Sequence, residues 1–364
     1  MLQAFFHAWE RRLAEVTKDR VVRPFEWGLD WVPTPGLTRA ERPGPAALDV
    51  AGGRHGRAAA PEVLHSWVAE VMADTDAFYA PGPTTAYRVS SPLAEGERLV
   101  TFPSALDTPH AENNTVFCRC FPARRARSRR SRAAVLVLPQ WNADPGGHVG
   151  LCRLLAMNGM TALRLSLPYH DQRMPPELGR ADYIVSANIA RTLQVCRQAV
   201  LDARRAVAWL HREGYGPIGI LGTSLGSCLA LLTTAHEPLI RAQALNHISP
   251  HFADVVWRGL STRHVRQGLD GHIELDLLRA LWRPISPRWY IERVRDRKTL
   301  LVYARYDLSF PVDLSEDLVR EFRERAIPHE LAVLRCGHYS TGKTPFKFVD
   351  GWILTRFLRK ALVS

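Results

Sequence analysis

The chain has 364 residues, 46% hydrophobic and 23% charged, a balance typical of a globular protein and unlike a disordered one. Its 48 Lys and Arg residues against 36 Asp and Glu residues give a net charge of +12, which reflects either a GC-rich genome or attraction to anionic surfaces. The sequence contains no apolar run of about 20 residues, no signal-peptide pattern and no C-x-x-C among its six cysteines, so we expect a cytoplasmic protein without membrane spans or disulfides.

Residues 1–84 are predicted to form an N-terminal helical extension packed on the main domain. The first helix is amphipathic, with an apolar face made of Phe5, Trp9, Leu13 and Val16. We favour docking of this face on the main domain over contact with a membrane. After a Pro- and Gly-rich stretch, a second helix is expected to begin near Pro61 and to bury Leu64, Trp67, Val68 and Val71.

Residues 85–364 are predicted to form the main domain, which begins with short β-prone runs. These runs are Ala86–Ser90, Leu99–Pro103, Thr115–Phe121 and Ala133–Leu138. The loop Arg124–Arg132 joins the last two and is most simply a solvated hairpin loop. Weak contact of this loop with an anionic surface is the alternative. Because it lacks aromatic residues that could stack on bases, we predict no nucleic-acid partner.

Beyond Ala133, predicted strands and helices alternate. The helices are Val149–Asn158, Ala181–Glu213, one after Ser224 and one from Phe346; the strands are Met160–Leu167, Pro217–Thr223, Gln243–Ile248, Thr299–Tyr306 and Glu330–Leu334. This alternation indicates an α/β fold with a mainly parallel, doubly wound sheet, to which the earlier strands add an antiparallel edge. A helical insertion at about 251–294 is predicted to be either a lid or a packed decoration.

The stretch Gly222-Thr223-Ser224-Leu225-Gly226 has the G-x-S-x-G pattern between a predicted strand and a predicted helix, the setting of a nucleophile elbow. The turn should place Ser224 in a strained backbone conformation that lifts its Oγ clear of the sheet. Gly222 and Gly226 are expected to be glycines because a Cβ would collide with the neighbouring strand and helix.

A serine nucleophile needs a histidine base and a carboxylate that orients it, and in proteins with this elbow the chain order is Ser, Asp or Glu, then His. Asp307 follows the predicted strand Thr299–Tyr306 and is our candidate carboxylate. The alternatives, Asp313 and Asp317, fall inside the next helical pattern.

His338 is the candidate base because it follows the end of the predicted strand Glu330–Leu334. Gly337 is expected to let the backbone turn there. Three other histidines are less well placed, since each precedes the strand that should carry the base: His148, His170 and His251.

Two amides should stabilise the oxyanion of the tetrahedral intermediate. One is predicted to be that of Leu225, and the other that of Gln140 or Trp141, in the loop after the first core strand. His170 or Arg173 could bind an anionic group of the substrate, or their loop could be purely structural. The sequence has no HExxH, Walker A, paired C-x-x-C or dinucleotide fingerprint, so we predict no metal and no cofactor.

The run Trp209–Gly219, leading into Gly222–Gly226, resembles the α/β-hydrolase fold superfamily and, more narrowly, the alpha/beta hydrolase domain-containing protein 18 family. Residues 91–109 and 167–169 resemble that family more loosely, and the resemblance extends from about residue 85 to the C-terminus. Ser227 stands where the family tends to have a second glycine. The loop Pro139–Asn142 replaces a Gly-Thr-Gly-Asp-type loop.

The resemblance implies a serine hydrolase and names no substrate. Together with the candidate residues, it predicts cleavage of a small-molecule carboxylic ester or thioester through Ser224, Asp307, His338 and an acyl-enzyme. Trp257 and Trp282 in the insertion suggest an acyl or aromatic substrate. Two alternatives remain open: acyl transfer on the same three residues, and a catalytically silent fold that serves as a binding module.

Overall fold

In the part of the chain that the structure describes, the core is one nine-stranded sheet. The structure, a computed structural model, describes residues 2–17, 19–33, 60–93, 96–124 and 132–363. The strands are β1 (Arg88–Val89), β2 (Arg98–Pro103), β3 (Thr115–Phe121), β4 (Ala134–Leu138), β5 (Thr161–Leu165), β6 (Ile218–Thr223), β7 (Ile240–Asn246), β8 (Lys298–Ala304) and β9 (Glu330–Leu334).

The strands lie in the order β1-β2-β3-β5-β4-β6-β7-β8-β9. Strands β1, β2 and β3 pair antiparallel, β3 pairs antiparallel with β5, and every later pair is parallel. The predicted fold class, a mainly parallel sheet with an antiparallel edge, is therefore confirmed. All five residues of β4 are buried, as expected for a central parallel strand covered on both faces.

Helices cover both faces of the sheet. They are α1 (Leu2–Glu15), α2 (60–73), α3 (Thr75–Phe78), α4 (Val149–Met157), α5 (Ile189–Arg212), α6 (Leu225–His236), α7 (Phe252–Arg258), α8 (Arg263–Leu269), α9 (Leu275–Leu281), α10 (Val312–Glu324) and α11 (Phe346–Leu362). Successive residues of β4 point to opposite faces, so Leu136 packs with α5 and α6 while Val135 and Val137 pack with α4 and α11. Among the described helices, none is long and apolar enough to cross a membrane.

Helix α5 begins eight residues later than the predicted start at Ala181. Asn188 caps it, because its side-chain oxygen accepts the amide hydrogen of Arg191 at 2.9 Å. The residues on either side of the cap pair with the N-terminal segment: the amide of Glu26 donates to the Ala187 carbonyl at 3.1 Å, and that of Ile189 donates to the Glu26 carbonyl at 2.9 Å. A tertiary contact therefore replaces the first two predicted turns of the helix.

The N-terminal segments dock on the main domain, but α1 does so through a different face from the one predicted, because Phe5 and Val16 are exposed whereas Phe6, Glu10 and Ala14 are buried. Phe6 of α1 is buried and its ring stacks on Tyr306 with the centroids 4.6 Å apart. Helix α2 buries the residues predicted for it, Leu64, Trp67, Val68 and Val71. Residues 34–59, which include most of the Pro- and Gly-rich stretch, and residues 125–131 of the predicted loop Arg124–Arg132 lie outside the described residues.

The insertion between β7 and β8 packs against the core. Trp282 is fully buried, and its indole nitrogen donates to the Ile189 carbonyl at 3.1 Å. Tyr290 is buried and donates to the Pro284 carbonyl at 2.9 Å. The expectation that Trp282 faces a substrate is therefore corrected, because its side chain is fully buried in the core.

Candidate active site

The turn between β6 and α6 has the geometry of a nucleophile elbow. Ser224 has φ 56° and ψ −122°, a strained conformation for a residue with a side chain, which costs about 1–3 kcal/mol. A Cβ on Gly222 would lie 2.1 Å from the Gly226 carbonyl oxygen, and one on Gly226 would lie 2.2 Å from that of Leu138. Both glycines are therefore required for space, as predicted.

The three side chains predicted for catalysis lie in one hydrogen-bonded row. His338 Nε2 is 3.1 Å from Ser224 Oγ, and His338 Nδ1 is 2.8 Å from Asp307 Oδ2. When Nδ1–H donates to the carboxylate, Nε2 is left as the acceptor for the serine hydroxyl. Ser224 and Asp307 are buried, and the His338 side chain retains 12% of its accessible surface.

Asp307 is held by four hydrogen bonds. Oδ1 accepts the backbone amides of Ser309 at 2.8 Å and Phe310 at 2.7 Å, and Oδ2 accepts Nδ1–H of His338 and, at 3.0 Å, of His247. Burial raises the pKa of the Asp307 carboxyl, but the charge of His338 and the hydrogen bonds from both imidazoles outweigh burial, so its pKa lies well below the usual range. The group is a carboxylate at neutral pH.

His247 is a residue of the site that the sequence reasoning missed. It directly follows β7, has φ 55° and packs its ring 4.6 Å from that of His338. Its Nε2 is buried and has no hydrogen-bond partner within the described part of the chain. Its place at the carboxyl end of a parallel strand next to β8 is the signal that could have revealed it.

Glu10 is the second residue that the sequence reasoning missed. Its Oε2 accepts the amide of Tyr339 at 2.8 Å and its Oε1 that of Ser340 at 2.9 Å, so it binds the loop that carries His338. Burial lowers the pKa of His338, but the negative charges of Asp307 and Glu10, with the Asp307 hydrogen bond, outweigh it and the pKa is raised.

The expectation that Gly337 is needed for a backbone turn is corrected. Its φ is not positive, so its conformation does not require a glycine; instead, a Cβ there would lie 2.3 Å from Glu10 Cδ. The absence of a side chain at this position makes room for the Glu10 carboxylate.

The amides predicted for the oxyanion lie around the start of α6. Leu225 is the first residue of that helix, and its amide donates to no acceptor within the described residues. The Pro139 carbonyl oxygen would be 2.5 Å from a Cβ on Gly226, so the loop of Gln140 and Trp141 lies against the helix start. The amides of Gln140 and Trp141 also make no hydrogen bond in the described structure, so both candidates for the second donor stay available.

The two residues predicted to bind substrate are held inside the protein. His170 Nε2 accepts the Asn142 amide at 2.9 Å, and its Nδ1 lies 2.9 Å from the Pro168 carbonyl oxygen. Arg173 is fully buried and bonds the carbonyls of Asn113 and Ser166 and, at 2.8 Å, Asp202 Oδ2. We therefore correct the expectation for both side chains, because their polar atoms are engaged internally.

The alternative carboxylates and histidines are paired elsewhere. Asp313 accepts from Arg258, and Asp317 pairs with His251 Nε2 at 3.0 Å. His148 Nε2 lies 2.9 Å from Thr223 Oγ1, and burial lowers its pKa to about 4. These contacts are consistent with the choice of Asp307 and His338.

Within the described residues, the His, Cys, Asp and Glu side chains that lie close enough together to hold a metal ion are His247, Asp307 and His338. Their potential ligand atoms lie within 4.8 Å of one another. Both imidazoles present Nδ1 to the same carboxylate oxygen at hydrogen-bond distance, which is the geometry of a carboxylate accepting two hydrogen bonds.

Comparison with known proteins identifies the fold. Residues 108–263 match the model of the family "Alpha/beta hydrolase domain containing 18". Among solved structures, an acetyl xylan esterase from Paenibacillus sp. R4 is 16% identical, with a TM-score of 0.58 over 80% of this chain and 93% of that one. Acetyl xylan esterase 1 from Thermoanaerobacterium sp. JW/SL YS485 is 12% identical, with a TM-score of 0.56 over 80% of this chain and 93% of that one.

An acylaminoacyl peptidase from Pyrococcus horikoshii is also similar, with 12% identity and a TM-score of 0.55 over 76% of this chain. This chain spans only 42% of the length of that peptidase. At such low identities the likeness to solved structures shows the fold alone.

Proposed function

We propose that this chain, which has the α/β-hydrolase fold, is a serine hydrolase that cleaves a carboxylic ester or thioester of a small molecule. The observation that carries the proposal is the contact of 3.1 Å between Ser224 Oγ, on its strained elbow, and His338 Nε2. The hydroxyl of a free serine is a poor nucleophile at neutral pH, and a histidine base in this position activates it.

In the proposed reaction, Ser224 Oγ attacks the carbonyl carbon of the substrate as His338 Nε2 takes the hydroxyl proton. The amide of Leu225 and that of Gln140 or Trp141 bind the oxyanion that forms. His338 then gives its proton to the leaving alcohol or thiol, and an acyl group remains on Ser224. A water molecule, activated by His338 in the same way, releases the acid and restores the serine.

Asp307 serves this cycle by orienting and stabilising the imidazolium. Because its carboxylate is fixed by two backbone amides and by His247, it presents a preorganised negative charge to Nδ1 of His338. Preorganised charge of this kind is typically the largest single contribution to catalysis. Every step uses groups of the chain, the substrate and water, so the proposal needs no cofactor.

An ester substrate is supported by the two acetyl xylan esterases among the structural neighbours. We also propose a reducing, cytoplasmic location. All six cysteines are buried free thiols, which supports a compartment that does not form disulfides.

The decisive experiment is covalent labelling with a fluorophosphonate probe, combined with turnover of p-nitrophenyl esters of increasing acyl length. We expect wild-type protein to label and to hydrolyse at least one ester, and Ser224→Ala to do neither. Ser91→Ala, which removes an exposed serine, is the matched control and should behave as wild type. Undiminished labelling and turnover in Ser224→Ala would exclude the proposed nucleophile.

Two further outcomes separate the alternatives. Turnover whose products carry the acyl group on an added alcohol or amine would identify acyl transfer on the same residues. A folded wild-type protein that does not label at Ser224 would instead identify a catalytically silent fold.

A further inference from the structure

Helix α1 carries a fully buried carboxylate, Glu10, which is uncommon for a residue type that is almost never completely buried. Each of its oxygens accepts one backbone amide, from Tyr339 at 2.8 Å and from Ser340 at 2.9 Å. Within the described residues, Glu10 forms no ion pair with Lys or Arg. The carboxylate is therefore satisfied by the loop that directly follows His338.

The opposite side of this contact is shaped to receive Glu10. The three atoms nearest to a Cβ built on Gly337 are Cδ, Cγ and Oε1 of Glu10, at 2.3, 2.5 and 2.6 Å. A real Cβ never lies that close to other heavy atoms, so any larger residue at position 337 would have to displace the Glu10 side chain. Glu10 and Gly337 therefore form a fitted pair across 327 positions of sequence.

The same N-terminal region also contacts the loop that carries Asp307. Phe6 stacks on Tyr306, the residue before Asp307, with the rings 8° from parallel. Beyond α1, Arg20 donates to the Tyr339 hydroxyl at 3.0 Å. The N-terminal region thus touches both loops whose side chains form the row with Ser224.

We propose that α1 is part of the working site and that Glu10 is a positioning residue, which fixes the loop of His338 by accepting the amides of Tyr339 and Ser340. This inference rests on the proposed function. Without this anchor, the loop after β9 would lose two charge-assisted hydrogen bonds and His338 Nε2 would no longer be held at 3.1 Å from Ser224 Oγ. A misplacement of about 1 Å in such a group costs about 100-fold in rate.

The first test compares Glu10→Ala and Glu10→Gln with Glu15→Gln, which changes an exposed glutamate of the same helix. Glu10 contacts the backbone of the His338 loop and not Ser224. We therefore expect Glu10→Ala to lower kcat by about 10- to 100-fold while KM changes by less than about twofold. Glu10→Gln keeps one acceptor and should fall between wild type and Glu10→Ala. Glu15→Gln should match wild type.

The pH profile gives a readout that a purely structural role would not move. His338 is faced by Asp307, His247, Glu10 and Tyr339, and of these Glu10→Gln removes one negative charge. The ascending limb of kcat/KM should therefore move to lower pH in Glu10→Gln and stay in place in Glu15→Gln.

The second test is a double-mutant cycle with Gly337→Ala. In the wild-type background, the new methyl group meets Glu10 and should lower kcat by about tenfold or more. In the Glu10→Ala background, the three atoms nearest to the new methyl group are absent, so adding Gly337→Ala should cost at most about twofold. Additive effects of the two substitutions would contradict the fitted contact. If Glu10→Gln does not fold, Gly337→Ala alone decides, and wild-type kcat in that variant would overturn the proposal.

A titration of the His338 imidazole by NMR keeps this proposal separate from the proposed function. The pKa of His338 should be lower in Glu10→Gln than in wild type and unchanged in Glu15→Gln. If wild type cleaves no ester but the pKa falls as expected, the proposed function fails and the contact between Glu10 and the His338 loop stands. If esters are cleaved and neither kcat nor the pKa responds to Glu10→Gln, the Glu10 proposal fails alone.

Discussion

Two sets of loops at the carboxyl ends of parallel strands contain the same residue types and differ in what those residues do. After β5, Arg173 bonds Asp202 and two carbonyl groups, and His170 accepts the amide of Asn142. After β8 and β9, Asp307 and His338 meet at 2.8 Å, and the chain of bonds continues to the hydroxyl of Ser224. The polar groups of the loop after β5 bond within the protein, whereas the row formed by the loops after β8 and β9 ends on the hydroxyl of Ser224, the proposed nucleophile.

The electrostatic surroundings of the two histidines explain the difference. Burial lowers the pKa of His170 to about 4 and outweighs the Pro168 hydrogen bond and the charge of Asp171, which raise it, while the nearby cations Arg164 and Arg173 lower it further. Burial also acts to lower the pKa of His338, but the negative charges of Asp307 and Glu10 outweigh it. The two histidines thus differ in that the carboxylates around His338 outweigh burial, whereas the single carboxylate of Asp171 near His170 does not.

The largest expected effect comes from His338→Gln. This change removes the acceptor for the Ser224 hydroxyl proton, so kcat should fall by about 10⁶-fold, the loss that follows removal of the histidine from a serine–histidine–aspartate triad. Ester turnover by the purified variant measures this effect, and thermal unfolding confirms that the variant is folded.

His170→Gln is the matched variant in the loop after β5. Because the His170 imidazole bonds the Asn142 amide and the Pro168 carbonyl rather than any residue of the row with Ser224, its replacement should lower kcat by less than about tenfold. A loss of activity in His170→Gln as large as that in His338→Gln would mean that the two loops are not functionally distinct.

Arg173→Met should show the second largest effect, on stability. It leaves Asp202 Oδ2 buried without its cation, which costs about 3–5 kcal/mol in the free energy of unfolding. Denaturant titration measures the loss, and turnover per folded molecule should be unchanged.

Arg258→Met is its control, because it breaks an ion pair with Asp313 whose side chains are 40% and 61% exposed. That change should cost less than about 1 kcal/mol. Equal costs for the two variants would show that the Arg173 pair contributes no more than a surface pair.

The strands and the row of Ser224, Asp307 and His338 were accessible to sequence reasoning because their signals are local. The strands Thr115–Phe121 and Glu330–Leu334 were predicted with their exact bounds, since each is a short β-prone run between turn residues. The elbow and its partners follow a fixed chain order, and each partner follows a strand whose end faces the same edge of the sheet.

What sequence reasoning did not find depends on contacts between distant segments. Glu10 looks like a polar residue of an amphipathic helix until the fold places it against Gly337. His170 and Arg173 look available for substrate until the structure shows their internal partners. In the same way, α5 starts later than the pattern predicts because Glu26 pairs with the residues on either side of Asn188. Propensity and periodicity contain no information about such pairings.

His247→Leu should have a moderate effect and shows how much of the Asp307 geometry depends on a second imidazole. The carboxylate would lose one of four hydrogen bonds while both backbone amides and His338 remain. Since one such bond contributes about 1 kcal/mol, kcat should fall by about 3- to 10-fold.

His247→Gln is the matched variant, because the glutamine amide can donate to the same oxygen, and it should recover part of the loss. Wild-type kcat in His247→Leu would mean that Asp307 is sufficiently held by Ser309 and Phe310.

The smallest expected effect is on the pH dependence, where the pKa values of His338 and His170 are shifted in opposite directions. Protonated His338 cannot accept the Ser224 proton, so kcat/KM should fall as the pH drops through the raised pKa of His338, with the midpoint above the ordinary imidazole value of about 6.5.

For folding, a raised pKa contributes stability that is present below about pH 6.5 and is lost as the pH rises through the folded-state value. His170 affects stability in the opposite direction. Because its pKa in the folded protein is about 4, the free energy of unfolding falls as the pH falls from about 6.5 towards 4. His170→Gln should therefore leave the kcat/KM midpoint in place and flatten the acid side of the stability profile. A midpoint well below 6.5 in wild type would contradict the support that Asp307 and Glu10 give to the imidazolium.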